Sequence, residues 1–249
     1  MLIKNLYLGL KFAFSYFSIL PVVFKKSDDL SQKEVLRAML FFFPLVGVIL
    51  GTIIVILYTL LNNLEWYGAI ISALTYMILY GFIHTEAVID VADAIYASHS
   101  NKDAYQIIKE PTVGAMGVLY AIAVILLKVS GVIYLLIHNA FSDFIAIVII
   151  SRLSLLMLFK IHQFKSSFAT LLKVSLSNSY LIGSFLLFTI MGSIITLQFI
   201  PLLIVGLILA LIISFSIKSK IGFVNGDVLG ATLEGVETLL FLVVAFLIS

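Results

Sequence analysis

The chain has no cysteine, which excludes disulfides and thiolate-ligated metals alike. Its four histidines, His84, His99, His138 and His162, are too dispersed to build an imidazole metal site. Charge is also scarce. Only 11% of the 249 residues are charged against 62% apolar, and a soluble protein of this length would need far more polar residues to cover its surface. Hydrocarbon must cover it instead. The formal charge of +2 comes with lysines scattered beside apolar runs, not with a basic stripe, so no nucleic-acid partner is expected. Nor is a cleaved leader expected: Met1 to Leu20 contains Lys4 and Lys11, is rich in aromatics and offers no small-residue cleavage site.

What the sequence does contain is apolar runs close to the ~20 residues that a bilayer requires. Seven spans are expected, near 37–61, 66–84, 113–137, 143–160, 179–197, 199–217 and 229–249. The segment 1–20, short and closed by Pro21, reads as a helix lying at the interface or tucked into the bundle. The fold class is therefore all-α: a polytopic transmembrane helical bundle of about seven spans with an N-terminal interfacial helix. Residues 1–249 form a single integral membrane domain, with no internal repeat.

Thirteen of the fifteen lysines and arginines fall in alternate connections. Lys4, Lys11, Lys25, Lys26, Lys33 and Arg37 precede the first span; Lys102 and Lys109 lie in the second connection. Lys160, Lys165 and Lys173 lie in the fourth, and Lys218 and Lys220 in the sixth. The other connections are short and contain none, so the positive-inside rule puts the N-terminus in the cytoplasm and the C-terminus outside. A site is expected on the cytoplasmic side, where the connections are long and hold most of the acids.

Two acidic clusters stand out. Glu86, Asp90 and Asp93 fall at i, i+4 and i+7, one stripe of a helix read as continuing the second span into the cytoplasm. Like charges at that spacing repel, and a cation seated on the stripe would relieve them. Oxygen ligands of this kind suit magnesium or manganese. A solvated helix end near the headgroups reads the same stripe equally well. The second cluster runs from Gly222 to Glu237, with Gly222, Gly226 and Gly230 around Asp227 and with Glu234 and Glu237 inside the last span. Asp227 alone reads as a helix N-cap. An acid inside a span is a functional candidate by default, which singles out Glu234 and Glu237.

Lys128 and Arg152 lie near the middle of the third and fourth spans. They serve either as neutralising partners for the acids or as phosphate anchors, a role to which the arginine fork is suited. If all converged, six acids against two cations would leave four excess negative charges. Two divalent ions would balance these, an arrangement that recurs in phosphoryl transfer. The stretch Lys109 to Gly117, with Pro111, Gly114 and Gly117, reads by itself as a loop before a helix.

In order along the chain, these segments resemble the cobalamin synthase family, the adenosylcobinamide-GDP ribazoletransferases. The resemblance rests on Leu20-Pro21-Val22, on Arg37 with Phe43-Pro44-Leu45-Val46-Gly47, and on His84, Glu86, Asp90 and Asp93 standing for His-x-Asp-Gly-x-x-Asp-x-x-Asp-Gly. It extends through Lys109-Glu110 with Gly114 and Gly117, and through Gly226 to Glu237 standing for Thr-Gly-Asp-x-Leu-Gly-Ala with two following Glu. Departures are Glu86 and Glu110 for Asp, Ala87 and Ala94 for Gly, Asn225 for Thr, and Ile19 where Arg is frequent.

The resemblance implies a magnesium-dependent phosphoryl transfer at the bacterial inner membrane. In it the hydroxyl of α-ribazole or its 5′-phosphate attacks the diphosphate of adenosylcobinamide-GDP and releases GMP. It assigns catalysis to Asp90, Asp93, Asp227, Glu234 and Glu237, and metal to Glu86, Asp90, Asp93 and Asp227. Substrate binding falls to His84, Lys109, Gly114, Gly117, Gly226 and Gly230 and, where the intramembrane cations are read as phosphate anchors, to Lys128 and Arg152. It leaves room for a homo-oligomer or a complex with other cobalamin-pathway enzymes.

Two other readings compete. A CDP-alcohol phosphotransferase also carries Asp residues on a membrane helix, but its Asp-Gly-x-x-Ala-Arg signature is not met here. An ion-coupled transporter would be expected to show repeats and midplane sites, whereas these acids cluster toward one side. The orientation is open to a simple test. A reporter fused after Ser249 should read periplasmic, and one placed in the 98–109 connection should read cytoplasmic. A cytoplasmic reading after Ser249 would mean that residues 1–20 span the membrane or that one of the seven spans is false.

Overall fold

The structure, a computed structural model, describes residues 2–99, 103–110 and 112–249. Lys102 and Pro111 lie outside the described residues. All regular elements among those described are helical: α1 (Leu2–Phe17), α2 (Lys33–Phe41), α3 (Phe43–Leu60), α4 (Trp66–Leu79), α5 (Ile83–His99) and α6 (Ala104–Ile107). These are followed by α7 (Ala115–Ile137), α8 (Phe141–Ile161), α9 (Ser167–Ser175), α10 (Asn178–Ile195), α11 (Phe199–Ile221) and α12 (Gly226–Ile248). One 3-10 turn, Asn62–Leu64, joins α3 to α4.

Six of the described helices, α3, α7, α8, α10, α11 and α12, are long and apolar enough to cross a bilayer, and counting the bent pair α4–α5 as one span gives seven. α8 forms the axis of the bundle, with 78% of its spanning stretch buried against α3, α10, α11 and α12. α10, at 17%, is nearly all outward, and Ile182, Leu186, Ile190 and Ile194 repeat every four residues along its exposed side. Such a stripe is stable only against lipid. α1 is 16 residues long and packs on α2 and α3 instead of spanning.

Two expectations are corrected. The first span does not run from 37: the chain breaks at Phe42, and only α3 crosses. Pro44 sits in the first turn of α3, where its missing N–H costs nothing. In a helix continuous with α2 the same ring would clash with the carbonyl of Leu40. The acidic helix, likewise, is not a straight continuation of the second span. α4 stops at Tyr80, Gly81 and Phe82 take positive φ (69° and 54°), and α5 leaves at 76°. The backbone N–H of Ile19 donates to the carbonyl of Leu79 at 2.8 Å, satisfying one acceptor freed by the break.

The turn lays α5 across the start of α12. A Cβ on Gly230 would stand 2.7 Å from the Cβ of Ala87, so α5 and α12 meet through one methyl and one hydrogen. Gly230→Ala should therefore lower thermal stability in detergent by an overpacking cost of about 1–3 kcal/mol. Ala87→Gly in the same chain should restore most of it. A Gly230→Ala protein as stable as the wild type would contradict this close seat.

Candidate active site

The seat of α5 on α12 opens a cavity of about 400 Å³ at the end of the bundle that carries most of the lysines. Its walls are Tyr16 and Phe17 of α1, Ile83, His84, Glu86, Ala87 and Asp90 of α5, and Leu155 and Phe159 of α8. Ser166 to Leu172 and the opening of α12, from Asn225 to Gly230, complete it. Positions 83, 87 and 90 repeat at helical spacing, so a single face of α5 lines the space. Phe17 packs on Phe43 with ring centroids 3.9 Å apart and so closes one side.

At the start of α12 the cap is Asn225, not Asp227. Its Oδ1 accepts from the Val228 N–H at 3.0 Å, while its Nδ2 donates to Asp227 Oδ2 at 2.6 Å. Asp227 lies in the first turn, where the helix dipole favours an anion, and Asn225 aims it at the cavity. Asp90 feels the like charges of Asp227, Glu86 and Asp93. No ion pair among the described residues involves any of these four. Burial raises the Tyr16 phenol above its ordinary range, and the charge of Asp227 adds to this, so the hydroxyl stays a donor at neutral pH. His84 is buried, stacks on Tyr80 at 5.9 Å, and its Nε2 has no partner.

Among the described residues no group of three or more His, Asp or Glu is gathered tightly enough to form a complete metal cage. Magnesium seldom uses one. It keeps waters and takes one or two carboxylates together with substrate phosphates. Glu86, Asp90 and Asp227 line one cavity, offer only oxygen and form no ion pair among the described residues. That donor set fits magnesium.

The other acids are elsewhere. Asp93 keeps its place on the stripe, but the start of α7 covers it. Its oxygens accept from the N–H groups of Gly114, at 2.6 Å, and Gly117, at 2.7 Å. It thus caps α7 from another helix, satisfying donors that a helix start leaves free. A Cβ on Gly114 would stand 2.4 Å from an Asp93 oxygen, and one on Gly117 2.6 Å, which explains both glycines.

Glu234 and Glu237 do not reach the cavity. They form a buried, charge-balanced quartet with Lys128 and Arg152. Lys128 Nζ is 2.6 Å from Glu234 Oε2 and 2.7 Å from Glu237 Oε2, and Arg152 pairs with Glu237. Tyr76 and Ser151 each donate to Glu237 at 2.8 Å. Thr85 donates to Glu234 at 3.2 Å, and the Tyr80 hydroxyl lies 3.1 Å from Thr85 and 3.3 Å from Lys128. Gly47 makes room for the arginine: a Cβ there would stand 2.8 Å from Arg152 Cδ. The six acids therefore do not converge.

Sequence reasoning passed over Tyr16, Asn225 as a cap, and the polar partners Tyr76, Tyr80, Thr85 and Ser151. Only the tyrosine pair carried a signal, as two hydroxyl-bearing rings at i and i+4 inside a span. Lys109 lies outside the cavity, on the ring of Tyr105.

The family model described as cobalamin-5-phosphate synthase matches residues 9–245. A Brevibacillus brevis protein named adenosylcobinamide-GDP ribazoletransferase is 28% identical over 243 residues, covering 93% of this chain and 95% of its own. One of the same name from Chlorobium chlorochromatii is 29% identical over 250 residues, with 97% of each chain covered. A third, from Clostridium perfringens, is 24% identical over 248 residues, covering 94% and 96%. No solved structure matches the chain. With nearly its whole length matched, and with the matched motifs building one cavity and the frame behind it, the chain belongs to the cobalamin-5-phosphate synthase family.

Proposed function

We propose that this chain is an adenosylcobinamide-GDP ribazoletransferase working at the cytoplasmic face of a bacterial inner membrane. The observation that carries the reading is the cavity on which Glu86 and Asp90 of α5 meet Asp227 of α12. These three carboxylates would hold magnesium, which would neutralise diphosphate charge and steady the leaving group. The acceptor's hydroxyl oxygen attacks the cobinamide-bearing phosphorus. The bond from that phosphorus to the bridging oxygen breaks, and GMP departs with the oxygen. The attacking hydroxyl gives its proton to one of the cavity carboxylates, and His84, buried in the wall, shapes the space around it. Tyr16 donates to substrate oxygen, and Gly226, with open space where a Cβ would stand, leaves the mouth clear.

Apart from Lys109, the remaining sequence-derived site residues act through others. Asp93, with Gly114 and Gly117, fixes α7 against α5. Glu234, Glu237, Lys128 and Arg152 hold the break between α4 and α5, and Gly230 seats α5. Of these only Gly230 lines the cavity.

Membranes containing this chain should release GMP from adenosylcobinamide-GDP when given α-ribazole or its 5′-phosphate. Asp90→Asn and Asp227→Asn should each reduce turnover by roughly 10²-fold or more, the scale for removing a charge that stabilises a transition state. Excess EDTA should abolish turnover, and added magnesium should restore it. Full activity in EDTA would remove the metal from the mechanism. Absence of GMP release by the wild-type chain would overturn the activity itself.

A further inference from the structure

Lys109 and Lys165 come from different connections yet rest on the same ring. Lys109 Nζ is 4.1 Å from the centroid of Tyr105, and Lys165 Nζ is 3.9 Å from it. The two ammonium groups are therefore within about 8 Å of each other, the sum of those distances. Lys165 also lies 5.3 Å from the ring of Phe223, which meets Tyr105 edge-on at 5.2 Å. Neither lysine has a carboxylate partner among the described residues, and both are exposed. Ring faces attract each cation but leave its N–H donors free for an anion.

The pair stands at the edge of the cavity. The Lys165 N–H donates to the Val224 carbonyl at 2.8 Å, tying its segment to the turn that opens α12. The next residues on the two strands of this tie, Ser166 and Asn225, both line the cavity. Tyr105 is fixed from its own side, since Asp103 caps α6 by accepting the Tyr105 N–H at 2.9 Å. The result is a carboxylate-lined cavity with a two-cation platform beside it.

We propose that Lys109 and Lys165, carried on Tyr105, form a subsite for a phosphate monoester: the 5′-phosphate of the ribazole acceptor. The proposal rests on the function proposed above and adds the residues that recognise the acceptor. A monoester at neutral pH carries close to two negative charges, which two lysines match. Inside the cavity the same group would compete with the diphosphate for the one metal that the three carboxylates would hold. Lysine binds phosphate as a point charge, so the platform requires no fork geometry. A phospholipid headgroup offers the same chemistry at a membrane surface, and the two sources separate in experiment.

Binding of α-ribazole 5′-phosphate and of unphosphorylated α-ribazole is measured calorimetrically on the full chain in a nonionic detergent, alongside GMP release with each acceptor. The wild type should prefer the phosphorylated acceptor. Lys109→Ala and Lys165→Ala should each weaken its binding about tenfold or more, the scale of one charge-assisted hydrogen bond. Neither should change binding of the unphosphorylated acceptor, and Lys165→Arg should keep the preference. Equal effects on both acceptors, or an intact preference in both alanine variants, would overturn the subsite even if GMP release is normal. A loss seen only when anionic lipid is added would assign the lysines to headgroups. A lysine-dependent preference without any GMP release would spare the subsite and sink the activity.

Discussion

Two carboxylates, a lysine and an arginine meet inside the bundle, and the rest of the molecule is arranged around that contact. Each charge would be costly in an apolar interior. Together they balance, and their spare hydrogen-bonding capacity is taken up by Tyr76, Tyr80, Thr85 and Ser151. Removing one member of such a cluster leaves a buried charge without its partner, a loss on the order of 3–5 kcal/mol. The cluster draws on α4, α5, α7, α8 and α12, and so fixes the helices that no tight loop could hold in register. Its reach to Thr85 matters most, because Thr85 is in the first turn of α5, just beyond the 76° break.

The site follows from that placement. With α5 turned across α12, a face bearing His84, Glu86 and Asp90 confronts Asp227. The quartet has already used the two intramembrane cations, and among the described residues the cavity carboxylates have no ion-pair partner. In the function proposed above they would meet magnesium and the substrate diphosphate. This division of labour separates acids that hold the frame from acids that face the chemistry, although both kinds sit within the same motifs. Asp93 and Glu86 are seven residues apart on one stripe, yet one caps α7 and the other lines the cavity.

Much of this was legible in the sequence because hydrophobicity and lysine placement act over whole segments. The helices that can cross a bilayer lie in the expected order, six or, with the bent pair counted as one, seven, and His84, Glu86, Asp90 and Asp227 line one cavity as expected. The bend was not legible: Gly81 is one glycine in an apolar run, and its positive φ depends on how the helices pack. The role of Asp93 depends on backbone N–H groups 21 and 24 residues away, which helical spacing cannot reveal. Glu234 and Glu237 drew notice for a sound reason, as acids inside a span, and the same reasoning allowed Lys128 and Arg152 to be their partners. Nothing in the pattern said that the partners would be used up there and not at the substrate.

If the quartet orients α5 through Thr85 without touching substrate, loss of the Thr85 hydroxyl alone should slow turnover. The most direct test is steady-state turnover of a Thr85→Val chain, which loses one hydroxyl at nearly constant volume. Turnover should fall about tenfold, equivalent to roughly 1.4 kcal/mol in the barrier. The KM for adenosylcobinamide-GDP should stay near wild type, the stability loss should stay within the ~1–3 kcal/mol of one buried hydrogen bond, and Thr85→Ser should recover most of the rate. Wild-type turnover in Thr85→Val would contradict the account, because the quartet would then hold the bundle together without governing the site.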